Sequence, residues 1–190
     1  LLAEPITATV YNYGQFSAAD TRMAAISLTA MSLGVPAFML SKVLSPAFYA
    51  RQDTKTPMRA AIWTVAANVA LTVALTTPLW LYEVPGAHGG IALATALAGV
   101  VNAVLLWRSL RQRAIFTPEP GWATYTLRLA GACAAMAVVV LGLRFWIGAW
   151  TEIEGALHRI GWLALVIGAG GATYVVAMAA LGLRPRHLRH

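Results

Sequence analysis

The chain has 190 residues, of which 59% are hydrophobic and only 11% are charged, and its formal net charge is +7. Its mean hydropathy of +0.66 excludes an ordinary soluble domain and indicates an integral membrane protein. The basic residues cluster at the ends of apolar stretches and form no stripe interleaved with aromatic residues, so we expect no nucleic-acid partner. The single cysteine, Cys133, excludes an internal disulfide and a cysteine-built metal site.

The apolar stretches predict an all-α fold, a polytopic membrane helix bundle. Each stretch is long enough to cross a hydrocarbon core roughly 30 Å thick, and none shows the alternating pattern of a membrane barrel. Five full spans are predicted, at about 21–49, 58–81, 90–107, 122–147 and 157–183. Together they form a C-terminal bundle over residues 20–190.

Residues 1–19 are too short and too polar to cross a membrane. We expect this segment to be the end of a truncated helix or an outer interfacial segment. The chain opens on Leu1 without an initiator methionine or a signal peptide, and five spans would place its two ends on opposite sides of the membrane. We therefore expect further spans before Leu1.

The first predicted span combines features that are unusual in a purely structural helix. Gly34 and Pro36 predict a bend near its middle. Lys42 lies about two helical turns before Arg51, among apolar residues. Its ammonium group either extends along the helix to the charged end, or faces a water-filled cavity and contacts an anionic substrate or a carboxylate on another span.

A short charged connector follows, within the run SKVLSPAFYARQDTKTPMR at 41–59. Pro57 suits the first turn of the next helix, and Thr56 before it is a plausible N-cap. Basic residues concentrate in this connector, at 108–113 and in the tail at 184–189, whereas the loops at 82–90 and 148–159 contain Glu83, Glu152 and Glu154 and only Arg159 as a strong base. The positive-inside rule places the basic segments and the C-terminus in the cytoplasm.

Small residues mark two of the later spans. In the third span, Ala92, Ala96 and Gly99 predict a face for close helix packing. In the fifth span, small residues would let either another helix or a lipid chain approach closely: Gly161, Gly168, Gly170, Gly171 and Ala172.

The run KVLSPAFYARQDTKTPM closely resembles the corresponding hairpin of the MurJ (MviN) family of lipid II flippases, within the multidrug/oligosaccharidyl-lipid/polysaccharide exporter superfamily. The similarity continues in YNYGQFSAADT upstream and IFTPEPGW downstream, and the five-span pattern fits the whole chain. The family's proteins are much longer, and the resemblance identifies this chain as their C-terminal portion.

The resemblance implies a function for the intact protein in the bacterial cytoplasmic (inner) membrane. It would move the undecaprenyl-pyrophosphate-linked peptidoglycan precursor from the inner to the outer leaflet by alternating access. Its partners would be membrane lipid, this lipid-linked precursor and the missing N-terminal spans, which carry most of the family's headgroup-binding residues.

The resemblance also suggests roles for particular regions. The connector residues that match the family's motif are expected to shape the cytoplasmic gate: Arg51, Gln52, Asp53, Lys55 and Thr56. The last two spans resemble those that border a groove for the prenyl tail, which makes Gly161, Gly168, Gly171 and Ala172 the groove candidates, although tight helix packing explains these residues equally well.

Two alternatives stay open at this level. One is a related exporter of another polyprenyl-linked sugar or of drugs, and the other is a non-transporting membrane scaffold. An enzyme is not expected, because the sequence contains no Ser/His/Asp or Cys/His set, no glycine motif that cradles phosphate and no paired carboxylates within a span. No cofactor and no metal are expected.

Overall fold

The computed structural model describes residues 1–11, 17–82, 87–113, 121–150, 153 and 155–182, apart from the side chain of Ala18. Over these residues the regular structure is entirely helical. The helices are α1 (Ala3–Tyr11), α2 (Ala18–Tyr49), α3 (Lys55–Leu81), α4 (His88–Gln112), α5 (Trp122–Ile147) and α6 (Ala156–Ala180). Helices α2 to α6 are each long and apolar enough to cross a membrane. The predicted all-α membrane fold is confirmed.

Helices α2, α3 and α4 extend further than the predicted spans at their charged ends. Helix α5 has the predicted bounds, but α3 begins at Lys55, α4 runs from His88 to Gln112, and α6 ends at Ala180, three residues before the predicted end. Hydropathy locates only the part of a helix that lies in hydrocarbon, whereas backbone hydrogen bonding continues through polar residues. The run after Trp107 therefore adds more than one turn to α4.

Helix α2 continues through two prolines, Pro36 and Pro46. Proline has no N–H group, so each one leaves the carbonyl four residues earlier without its usual helical donor. For Pro46 that carbonyl belongs to Lys42. The predicted bend near Gly34 stays a prediction.

The first of two compact units contains residues 22–117 as far as they are described, and α4 is its most enclosed helix. A Cβ atom on Gly34 of α2 would lie 2.7 Å from Cα of Ala96 in α4, and one on Gly99 would lie 2.3 Å from Cε1 of Phe38. Only glycine permits such close approach. Ala92 and Ala96 are buried, so the predicted packing face of α4 is confirmed.

At the connector end of this unit, the three helices share one apolar cluster. Its buried members are Leu44, Phe48, Ala60, Leu106 and Leu110. The side chain of Phe48 is fully buried although it lies only two residues before the charged connector. This cluster fixes the end of α2 against α3 and α4, and it therefore positions the connector.

The second unit combines residues 1–21 with residues 118–190 as far as they are described. Helix α1 packs against α6, and a cluster of buried residues joins α1, α5, α6 and the segment between α5 and α6: Ala8, Val140, Trp150 and Val166. A Cβ atom on Gly170 would lie 2.8 Å from Cγ2 of Val140. Gly170 is thus the α6 glycine that packs closely against α5.

Two arginines attach polar groups of the second unit to each other. Arg144 at the end of α5 forms an ion pair with the Glu4 carboxylate and donates to the backbone carbonyl of Leu1 at 2.9 Å. Arg159 in α6 donates through Nε to the carbonyl of Ile153 at 2.8 Å and through Nη1 to the carbonyl of Ala8 in α1 at 3.5 Å. A charged group in an apolar helix is stabilised by such partners, so these contacts help to hold α1 in place.

Several predicted features lie outside the described residues. They are the outward acidic residues Glu83, Glu152 and Glu154, the basic tail at 184–190, and most of the IFTPEPGW segment. The membrane sidedness that rests on them stays a prediction.

Candidate functional site

The connector between α2 and α3 begins with a helix-terminating turn. The backbone N–H of Asp53 donates to the carbonyl of Phe48 at 3.0 Å, and that of Gln52 donates to Tyr49 at 2.9 Å. These are the two bonds of a Schellman motif, in which the C′ residue adopts a left-handed conformation. Gln52 occupies that position with φ +57°, and it is the sole non-glycine residue with positive φ in the described ranges. The backbone of Gln52 therefore sets the direction of the connector.

Gln52→Gly is expected to keep both stability and transport in the intact protein, because glycine adopts the left-handed conformation without a steric penalty. Gln52→Val is expected to lower the free energy of unfolding by about 1–2 kcal/mol. Thermal unfolding of the two purified variants measures the difference. Identical melting of both variants would contradict the left-handed turn, and loss of transport in the glycine variant alone would show that the Gln52 side chain itself acts.

Asp53 caps the start of α3. Its carboxylate accepts the backbone N–H of Thr56 at 3.1 Å and the Thr56 hydroxyl at 2.7 Å. The prediction of Thr56 as N-cap was wrong: Thr54 occupies the N-cap position without a capping hydrogen bond from its side chain, and Thr56 is the second residue of α3. The Asp53 carboxylate instead supplies the acceptor that the Thr56 N–H group lacks within the helix. Pro57 is in the first turn of α3, as predicted.

Arg113, just after α4, completes a three-residue cluster that we call the connector latch: Asp53, Thr56 and Arg113. Arg113 forms an ion pair with Asp53 and donates through Nη2 to the Thr56 hydroxyl oxygen at 2.7 Å. The hydrogen bonds from the Thr56 hydroxyl and N–H, helped by the charge of Arg113, hold the pKa of Asp53 below its ordinary value of 3.8. A lowered pKa means that this contribution to stability is present above pH 3.8 and is lost as the pH falls below it.

The sequence alone does not pair Arg113 with Asp53, because Arg113 is one of several basic residues at 108–113 that indicate only the membrane orientation. A signal was available, since α3 and α4 are similar in length and are joined by a short segment. Two such helices pack antiparallel, so the end of α4 returns to the level at which α3 begins.

A cleft of about 420 Å³ opens beside the connector, between the end of α2 and the first turns of α3. Its lining includes Ser45 and Tyr49 from α2, Lys55 from α3, and Asn102 from α4. Lys42 precedes Ser45 by three residues and Tyr49 by seven, so it lies on the same face of α2, one turn deeper. Of the predicted cations, Lys55 lines the cleft, and Lys42 lies one turn beyond the lining on the cleft face of α2.

The remaining connector candidates lie apart from this cleft. Arg51 and Gln52 are exposed at the tip of the connector, and Asp53 and Thr56 belong to the latch. Lys42 is exposed and makes no ion pair or hydrogen bond with any residue that the structure describes. It is therefore available to an anionic group from outside the described residues.

The four groove candidates of α6 share an open surface. Gly161, Gly168, Gly171 and Ala172 are all exposed, and a Cβ atom added to any of the three glycines would meet no described atom within 4 Å. Close packing inside the second unit uses Gly170 instead. Within the described parts of the chain, these four positions do not serve helix–helix packing.

The polar groups of the site are lysine and arginine side chains, hydroxyl groups and the Asp53 carboxylate that caps the connector. The cationic side chains are suited to binding anions, and the exposed connector is suited to conformational change. In the described ranges, no group of three or more His, Cys, Asp or Glu side chains could hold a metal ion. Fold and site together define a multi-pass helical membrane protein whose charged groups gather at one end of a three-helix unit.

The chain belongs to the lipid II flippase MurJ family. The family model described as "Lipid II flippase MurJ" matches residues 1–157, which include the connector and the whole of α2 to α5. With its five apolar helices, the chain is part of a multi-pass protein of the bacterial inner membrane.

Individual relatives extend the similarity over nearly all of the chain. The lipid II flippase MurJ of Burkholderia cenocepacia is 32% identical over 98% of the chain and 35% of the relative. The probable lipid II flippases MurJ of Vibrio cholerae and Rhizobium tropici are 33% and 37% identical, over 100% and 96% of the chain and 34% and 33% of the relatives. The chain thus spans about a third of the length of these relatives.

Proposed function

We propose that this chain is the C-terminal part of a lipid II flippase, which moves the undecaprenyl-pyrophosphate-linked peptidoglycan precursor from the inner to the outer leaflet. The observation that carries the proposal is the family match over residues 1–157. Flipping an amphiphile needs a shielded polar path for the headgroup and a lipid-open surface for the tail, and it needs no covalent chemistry. Alternating access of the intact protein would supply both.

The first three-helix unit would contribute to the cytoplasmic gate. The latch ties the start of α3 to the end of α4 through one ion pair and one hydrogen bond, both at the surface. Surface contacts of this kind are weak, at roughly 0–1 kcal/mol each, so the connector can rearrange without a large cost. Lys42 and Lys55, along the cleft, would attract the anionic headgroup as the gate opens.

The open surface of α6 would border the path of the prenyl tail. Its glycines and Ala172 leave a smooth strip along the helix, and no side chain of the described residues fills it. A hydrocarbon chain gains contact with such a strip through dispersion along its whole length. The substrate's tail would therefore lie against Gly161, Gly168 and Gly171.

The proposed orientation places the connector and the C-terminus in the cytoplasm. It rests on Arg51, Lys55, Arg59 and the bases that follow Trp107. In a cysteine-free form of the intact protein, Gln52→Cys is expected to react with a membrane-impermeant maleimide only after the cells are opened. Labelling of intact cells at this position would reverse the proposed topology.

The function is tested by depleting the intact protein from cells and measuring the lipid II that an external headgroup-cleaving reagent can reach. Exposed lipid II is expected to fall on depletion and to return when the full-length protein is supplied, but not when residues 1–190 are supplied alone. Unchanged exposure, in cells without a second flippase, would contradict the proposal. Export of a different polyprenyl-linked sugar or of a drug, or a scaffold role, would then account for the protein.

A further inference from the structure

A second groove lies between α3 and α4, near the connector. It has a volume of about 230 Å³ and is lined by four residues of α3, three of α4 and Arg113 just after α4. Thr56 and Arg59 of α3 and Gln112 and Arg113 of the α4 end form its mouth, next to the connector. Thr56 and Arg113 also belong to the latch that the proposed function assigns to the gate, whereas Arg59 and Gln112 have no part in the proposed transport.

The groove changes from polar to apolar with depth. Trp63 on α3 lies one turn further from the connector than Arg59, and Leu105 on α4 lies two turns further than Gln112, with Ala60 and Ser109 between these levels. Trp63 is exposed in the groove, and tryptophan favours the boundary between lipid headgroups and acyl chains. A ligand that fits this gradient has a polar head and an apolar continuation.

The charge at the mouth selects an anion. Residues 50–59 and 108–113 contain six basic residues and one acidic residue, Asp53. Arg113 is held in place by Asp53 and Thr56, whereas Arg59 is exposed and makes no ion pair or hydrogen bond with the described residues. A guanidinium group binds phosphate oxygens through paired N–H donors, so Arg59 is the natural phosphate ligand.

From this combination we propose that the α3–α4 groove binds the headgroup of an anionic phospholipid, with Arg59 on the phosphate and the start of an acyl chain along Trp63. Basic pockets between membrane helices at the cytoplasmic surface bind such headgroups. The volume of about 230 Å³ is below the roughly 300–1,000 Å³ of pockets that enclose drug-sized ligands. It therefore suits a phosphoglycerol group better than a sugar–peptide headgroup, and the proposal does not depend on transport.

The test is a calorimetric titration of the intact protein in detergent with a short-chain phosphatidylglycerol. Arg59→Gln is expected to weaken binding about tenfold, the loss of a charge-assisted contact. The matched control is Arg108→Gln, which removes the same charge at the same end of the α3–α4 pair but from a side chain that does not line the groove, and it is expected to weaken binding less than about twofold. Equal weakening by both variants, or none by Arg59→Gln, would overturn the site.

Two further arms identify the ligand. A short-chain phosphatidylcholine is expected to bind at least about tenfold more weakly than phosphatidylglycerol, because its choline group brings a positive charge to the mouth. Inorganic phosphate at the concentration of the lipid is expected to leave lipid binding unchanged, because it cannot use the apolar part of the groove. Equal binding of phosphatidylcholine, or displacement by phosphate, would each contradict an anionic phospholipid site. Unchanged elution and helix content of Arg59→Gln verify that it is folded.

Discussion

Gly34→Ala is expected to lower the free energy of unfolding of the intact protein by about 1–3 kcal/mol. The added methyl group would lie 2.7 Å from Cα of Ala96 and 2.9 Å from its Cβ. The obstructing atoms belong to the backbone and to the shortest side chain, so no rotamer change relieves the overlap, and α2 must move away from α4. Thermal unfolding in detergent, followed by the loss of monodisperse protein, measures the effect.

The matched control is Gly142→Ala in α5, where an added Cβ atom meets no described atom within 4 Å. It is expected to retain or slightly raise stability, because alanine is a better helix former than glycine by about 1 kcal/mol. Two results would show that α2 and α4 do not approach each other as described. One is a Gly34→Ala protein that unfolds at the same temperature as the wild type, and the other is a Gly142→Ala protein that loses as much stability as Gly34→Ala.

Lys42→Ala is expected to reduce the rate of lipid II exposure about tenfold or more, the cost of removing a hydrogen bond to a charged group. The side chain lies on the cleft face of α2, one turn deeper than Ser45, and is unpaired among the residues that the structure describes. Rescue of growth and the external cleavage assay, both in cells depleted of the wild-type protein, provide the measurement.

Two further variants test whether Lys42 contacts the substrate or only extends its ammonium group toward water at the membrane surface. Arg128→Ala removes an exposed base near the start of α5 and is expected to have a smaller effect, because Arg128 reaches a membrane interface easily. Lys42→Arg keeps the positive charge and is expected to retain most of the activity. Near-normal growth of both alanine variants would eliminate a transport role for Lys42.

Much of the fold follows from the sequence because hydropathy and small-residue spacing are local signals. The apolar stretch before Ile147 predicted the bounds of α5, and the spacing of Ala92, Ala96 and Gly99 predicted a packing face of α4 that the structure confirms. In both cases the information lies within a single helix, so no knowledge of its neighbours is needed.

The contacts that build the site depend on which helices are neighbours, and no local signal gives that. The ion-pair partner of Asp53 is Arg113, 60 residues away in the chain. The sequence contains many arginine and lysine residues, and nothing local shows which of them reaches Asp53. The α6 glycines show the same difficulty, because spacing alone does not separate Gly170, which packs against Val140, from Gly168, which faces open space.

The ion pair between Glu4 and Arg144 also bears on how the protein is made. The two residues are 140 positions apart, and at about 5–20 residues per second a ribosome needs roughly 7–28 s to synthesise the intervening chain. During that interval α2, α3 and α4 can associate with one another, whereas α1 still lacks the helices against which it packs. The ion pair of Glu4 with Arg144, and the packing of α1 against α5 and α6, can therefore form only after α2, α3 and α4 have been synthesised.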